Sequence, residues 1–104
     1  MSKITEYQNL LNKIFNISPN DWIRSVCVYF VEDGQLEFRL DAPNDELVLL
    51  TVKFIEDPIF MQCVHIWAGK DSDTKRHGLS HRFFRITGTD EEIQAKLMYM
   101  KMVM

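Results

Sequence analysis

A chain of 104 residues, 46% hydrophobic and 26% charged, has room for one domain with a modest buried core and none for two. A formal charge of −3 argues against a protein built mainly as a nucleic-acid glove, although a local basic patch stays compatible with it. Only two cysteines, a polar start (MSKITEYQNLLNKIF) and no apolar run near the roughly 18 residues of a membrane span point to a reduced, cytosolic protein rather than a disulfide-stapled or membrane one.

Residues 3–15 read as an amphipathic helix, with Ile4, Tyr7, Leu10, Leu11, Ile14 and Phe15 on one stripe. Ser18-Pro19-Asn20 ends it, because the residue before proline avoids helical backbone. Trp22 to Asp41 reads as a hairpin, with strands at about 22–32 and 35–41 turning on Asp33-Gly34. Asp-Gly between apolar runs predicts a type I′ turn with positive φ at both central residues.

That turn pairs Val31 with Leu36, Tyr29 with Phe38 and Cys27 with Leu40. The second strand alternates, with Leu36, Phe38 and Leu40 on one face. The first does not: Val26, Val28 and Phe30 land on the opposite face, across from Asp41, Arg39 and Glu37. An apolar strand face must be roofed by the chain itself or left for a partner.

Residues 46–56 (ELVLLTVKFIE) read as a third strand, with Val48, Leu50, Val52 and Phe54 on one face. Residues 59–68 read as a fourth, residues 69–80 as a long polar loop and residues 81–87 as a fifth. A last helix covers 89–102: Thr89 and Glu92 have capping-box spacing, and Ile93, Leu97 and Met100 form its buried stripe. The expected architecture is a single α+β domain over 1–104, a mostly antiparallel five-stranded sheet flanked by an N-terminal and a C-terminal helix.

Charge is uneven. Residues 1–69 hold five basic and ten acidic side chains, whereas residues 70–88 hold five basic and two acidic. The basic stretch contains Lys70, Lys75, Arg76, His77, Arg82 and Arg85, with Phe83 and Phe84 beside them. It suggests a nucleic-acid surface that grips phosphates and stacks a base. The plainer reading is a solvated loop with the phenylalanines in the core.

Cys63, His65, His77 and His81 offer zinc-type donors, but a C-x-H pair lacks the familiar ligand spacing, and no metal or other cofactor is expected. Asp71 and Asp73 begin like a calcium loop, yet Arg76 stands where that loop needs glycine. The apolar neighbours of Cys27 and Cys63 suggest inert buried thiols. No phosphate cradle, nucleophile elbow or carboxylate pair is visible, so no catalytic residues are assigned and a non-enzyme is expected.

Two apolar surfaces remain: Val26, Val28 and Phe30 with Trp22 near their start, and the methionine-rich end, including Met98 and Met102. Either could be core, or could meet another protein, since methionine adapts to varied partners. The leading expectation is a small protein-binding module that occupies a partner's surface. It could be an adaptor, an inhibitor such as a phage anti-defence protein, an immunity protein or a chaperone. Nucleic-acid binding through 70–85 is the alternative. An exposed strand edge or the methionine helix offers a route to a homodimer.

Overall fold

Ser2 starts the first helix by accepting a hydrogen bond from the Thr5 backbone N–H at 3.2 Å. The computed structural model describes residues 2–68 and 78–103. Helix α1 (Lys3–Ile14) buries Tyr7, Leu11 and Ile14, the stripe that helical spacing demands. It stops where Asn16 takes a positive φ of 54° and the Ile17 N–H bonds back to Asn12 O.

The hairpin forms, with β1 (Ser25–Glu32) and β2 (Gln35–Pro43). Its turn differs from the type I′ expectation, because only Gly34 of the two central residues has positive φ, at 83°. The predicted pairing holds beside the turn, where Glu32 faces Gln35 and Val31 faces Leu36. Then the register shifts by one: Phe30 faces Glu37 and Val28 faces Phe38. Tyr29 is the extra residue of a β-bulge. Since side chains alternate with a period of two, that single insertion exchanges the faces of everything before it. Val26 and Val28 therefore join Leu36, Phe38 and Leu40 in the core, while Cys27 and Tyr29 are exposed on the other side.

Residues 46–56 are not a strand. They belong to helix α2 (Asn44–Ile55). The apolar residues satisfy a helical period as well as a strand period, because seven of the eleven positions are apolar and they fall on both alternating sets. Asp45 and Glu46 in the first turn and Lys53 in the last complement the helix dipole. Leu47 and Phe54 are buried two turns apart.

The predicted fourth strand begins later than expected. Asp57 Oδ1 accepts from the N–H groups of Ile59 and Phe60 at 3.0 and 3.1 Å, which starts a 3₁₀ turn over Phe60–Gln62. Only Val64–Trp67 forms strand β3. Strand β4 runs Leu79–Thr87 and helix α3 Asp90–Val103. The capping box forms as its spacing predicts: Glu92 N–H donates to Thr89 Oγ1, and Thr89 N–H donates to Glu92 Oε1.

Among the described residues the sheet has four antiparallel strands in the order β1-β2-β4-β3, not five. One face, including Val28, Leu36, Phe38, Phe84 and Ile86, shares a single buried cluster with the inward sides of α1, α2 and α3. Phe38 and Phe84 stack at its centre, 4.9 Å apart. All of that core lies on one side of the sheet, and none of the helices among the described residues packs on the other face. No helix of the described residues is long and apolar enough to cross a membrane.

The β1 edge is closed by a side chain. Gln8 of α1 donates from Nε2 to Val26 O at 2.6 Å and accepts the Val28 N–H on Oε1 at 2.8 Å. The amide thus takes up backbone groups that an added strand would use.

Candidate functional site

The uncovered sheet face is assembled from the side chains that point away from the helices. Strand β1 supplies Cys27 and Tyr29, β2 supplies Glu37 and Arg39, β4 supplies His81, Phe83 and Arg85, and β3 supplies His65 and Trp67. The register brings them together: Trp67 pairs with Phe83, His65 with Arg85, and Arg39 with Phe83 on its far side.

The aromatic rings form a continuous patch. Trp67 and Phe83 stack with centroids 5.4 Å apart and planes 13° apart. Tyr29 meets Phe83 edge-on at 6.1 Å, a contact that exists because the bulge turns Tyr29 outward. His81 meets the same ring edge-on at 5.4 Å, and His65 lies 5.3 Å from Trp67. The Arg85 guanidinium sits 5.9 Å from the Trp67 ring centre, within cation–π range. Cys27, Tyr29, Arg39, Trp67 and Phe83 line a shallow cleft of about 340 Å³.

Charge on this face is balanced. Arg39 pairs with Asp41 at 3.1 Å, and Glu37 stands opposite Arg85 across the strands. Partial burial, reinforced by the nearby Glu37 carboxylate, pushes the Tyr29 hydroxyl above its ordinary range. Tyr29 is therefore a neutral hydrogen-bond donor at physiological pH. The face offers stacking, apolar contact and directed donors. Among the described residues it presents no nucleophile paired with a base.

The residues expected to bind protein are scattered. Val26 and Val28 are core, because of the bulge, and cannot form an outer surface. Phe30 stays half-exposed beside the bulge, opposite Glu37. Trp22 precedes β1 and is 77% exposed. Met98 and Met102 are exposed on α3, one turn apart, in the helical layer rather than on the uncovered sheet face.

Of the basic set, Arg85 lies on the uncovered face. Arg82 points to the other side of β4, where it donates to Ser80 Oγ and His81 O. Lys70, Lys75, Arg76 and His77 lie outside the described residues, as do Asp71 and Asp73. Among the described residues no three potential ligands lie close enough to hold a metal ion. Cys63 ends the 3₁₀ turn and is half-buried, and Cys27 is exposed rather than an enclosed thiol.

Tyr29 and Trp67 are not among the expected binding residues, and Phe83 is expected only as a stacking ring beside the basic stretch. A signal for Phe83 was present in the alternation of His81, Phe83 and Arg85 against Phe84 and Ile86. Tyr29 had none, since the bulge that turns it outward leaves no mark in the periodicity.

Comparison of the chain with protein-family models, with curated proteins and with solved structures returned no match.

Proposed function

We propose that this chain is a small protein-binding module that acts by occupying a partner's surface rather than by catalysis. The observation that carries this reading is the Tyr29–Phe83–Trp67 patch with Arg39 and Arg85 at its border. Tryptophan, tyrosine and arginine around a central apolar contact are the composition of interface hot spots. The balanced charge supports the same conclusion, because Glu37 and Asp41 would repel a phosphate backbone but do not oppose a protein of mixed charge. An adaptor, an inhibitor, an immunity protein and a chaperone all work in this way, and free cysteines suit a reduced cytosol.

The test is capture of partners by the tagged chain, with and without nuclease, alongside Trp67→Ala and Phe83→Ala. The expected result is a nuclease-resistant protein partner whose affinity falls by about 30-fold or more in either variant, the effect of losing a hot-spot side chain. A partner held equally well by both variants would exclude this face.

One observation favours a second reading. Two parallel rings with a guanidinium over one of them also make a platform for single-stranded nucleic acid, where bases stack on aromatic faces. In that case recovery depends on intact nucleic acid, and Arg85→Ala flattens the salt dependence of binding. Undetectable affinity for RNA and DNA at low salt removes it.

A further inference from the structure

A cavity distinct from the aromatic cleft lies on the helical side of the sheet, where α1 and α2 part. Helix α1 packs chiefly on β1 and α2 on β4 and β2, so the end of β2 lies between them. The inward row of β2 is Leu36, Phe38, Leu40 and Ala42, all buried. Three large side chains fill the space under the helices, and the fourth is a methyl group. Ala42 therefore leaves a pocket of about 140 Å³. Leu40 and Ala42 form its floor, Phe15 and Ile17 one wall, and Leu47 and Leu50 the other.

Arg24 and Glu46 stand at the rim, both partly exposed. Asp21 Oδ1 accepts the backbone N–H groups of Ile23 and Arg24 at 2.9 Å each, which fixes the backbone of the loop there. The Arg24 guanidinium donates from Nε to Glu46 Oε2 at 2.9 Å and from Nη2 to Glu46 Oε1. The pair links the loop after α1 to the first turn of α2, and so joins the two sides of the pocket. Its charges satisfy each other, so the rim carries no net charge.

We propose that this pocket binds a compact, uncharged apolar molecule, the size of one aromatic ring or a branched chain of about five to seven carbons. The size follows from the volume. An apolar cavity of roughly 150 Å³ takes up benzene and stays dry without it, whereas drug-sized ligands need about 300 Å³ or more. The class follows from the lining. The apolar side chains give water no hydrogen-bond partner, and a void left empty forfeits their contacts. A carboxylate would have to part Glu46 from Arg24, and an ammonium Arg24 from Glu46, each leaving one charge of the pair without its partner. The pocket lies on the opposite side of the sheet from Tyr29, Trp67 and Phe83, so it stands independently of the aromatic face.

Heteronuclear NMR of the whole chain, titrated with toluene, tests this, with benzoate and benzylamine as charged probes of similar size. The expected result is a saturable shift of the amide signals of Leu40, Ala42, Leu47 and Leu50, with a Kd of about 1 mM or below and at least tenfold weaker binding of both charged probes. Toluene also raises the unfolding temperature, because it binds the folded chain. Ala42→Leu fills the pocket and removes the toluene shifts. Leu50→Phe fills it from the half-exposed α2 side, does the same, and decides the question should the first variant fail to fold. Toluene shifts that persist in a folded, filled variant, or that map to Trp67 and Phe83 instead, overturn the site. Benzoate or benzylamine binding as tightly as toluene overturns the uncharged class. No saturable shift up to the solubility of toluene overturns the proposal.

Discussion

Trp67 on β3 and Phe83 on β4 are direct cross-strand partners, and their rings lie 5.4 Å apart and nearly parallel on the face opposite the described helices. Cross-strand aromatic pairs contribute to the sheet as well as to any surface they form. The pair therefore holds down the short edge strand β3 while presenting its outer side to a partner.

Stability should register that coupling. Trp67→Ala and Phe83→Ala are each expected to destabilise the fold modestly, and the double variant by less than their sum. The interaction energy should be about 0.5–1.5 kcal/mol, obtained from urea denaturation of the four proteins of the cycle. Strict additivity would mean that the rings do not support each other.

The bulge makes a sharp contrast between neighbours. Val28→Asp puts a charge into the core beside Phe38 and is expected to cost several kcal/mol, a large part of the roughly 5–15 kcal/mol available to a domain. Phe30→Asp, two residues along and half-exposed, should leave a folded domain. Cooperative thermal unfolding of both variants at similar temperatures would show that the bulge is misplaced.

Gln8 is a third point of leverage. Gln8→Ala leaves Val26 O and the Val28 N–H without their partners, at an expected cost of about 1–3 kcal/mol. It also uncovers the β1 edge, so light scattering during refolding should rise. Unchanged stability and solubility would mean that water replaces the amide without loss.

Acid should weaken the fold through Asp57 and Glu92. The Tyr99 hydroxyl, together with the backbone N–H groups of Phe60 and Ile59, holds Asp57 below its ordinary value of 3.8. The Thr89 backbone and hydroxyl hold Glu92 below its ordinary 4.5. A carboxylate depressed by folding contributes stability that is fully present above its unfolded value and is lost as pH falls through its folded value. Urea midpoints should therefore be flat from neutral pH to about 5 and fall below about 4. Asp57→Asn/Glu92→Gln should lower the neutral plateau and shrink the acid drop. An acid drop of undiminished size in that variant would assign it to other carboxylates.

The same Asp57 contact raises the Tyr99 hydroxyl, whose contribution is present below the ordinary tyrosine value of 10.0 and is lost at more alkaline pH. Tyr99→Phe should shrink the alkaline fall in urea midpoints between about pH 9 and 11, leaving the part that the raised Tyr7 and Tyr29 hydroxyls contribute; a fall of unchanged size would mean that the Asp57 contact does not stabilise the fold.

Local chemistry was enough to place several features of this molecule from its residues alone. The Thr89–Glu92 box, the stripes of α1 and α3 and the Asp33–Gly34 hairpin each depend on side chains within a turn or two of one another. Their outcome depends on neighbours in sequence and not on distant parts of the chain. A single core follows from length and composition, and the α+β class from the succession of helical and strand periods along the chain. Distant contacts decided the remainder. Seven of the eleven positions in residues 46–56 are apolar and fall on both alternating sets, so the segment fits either period. It becomes a helix where Leu47 and Phe54 can be buried and Phe54 can stack on Phe60. One extra residue at Tyr29 reversed the faces of β1, moving Val26 and Val28 inward and Tyr29 outward. A bulge changes no pattern of residue types, because its position depends on which strand β1 pairs with and how that pair twists. The aromatic patch inherits that choice: its three rings come from three strands, and only the sheet's register makes them neighbours.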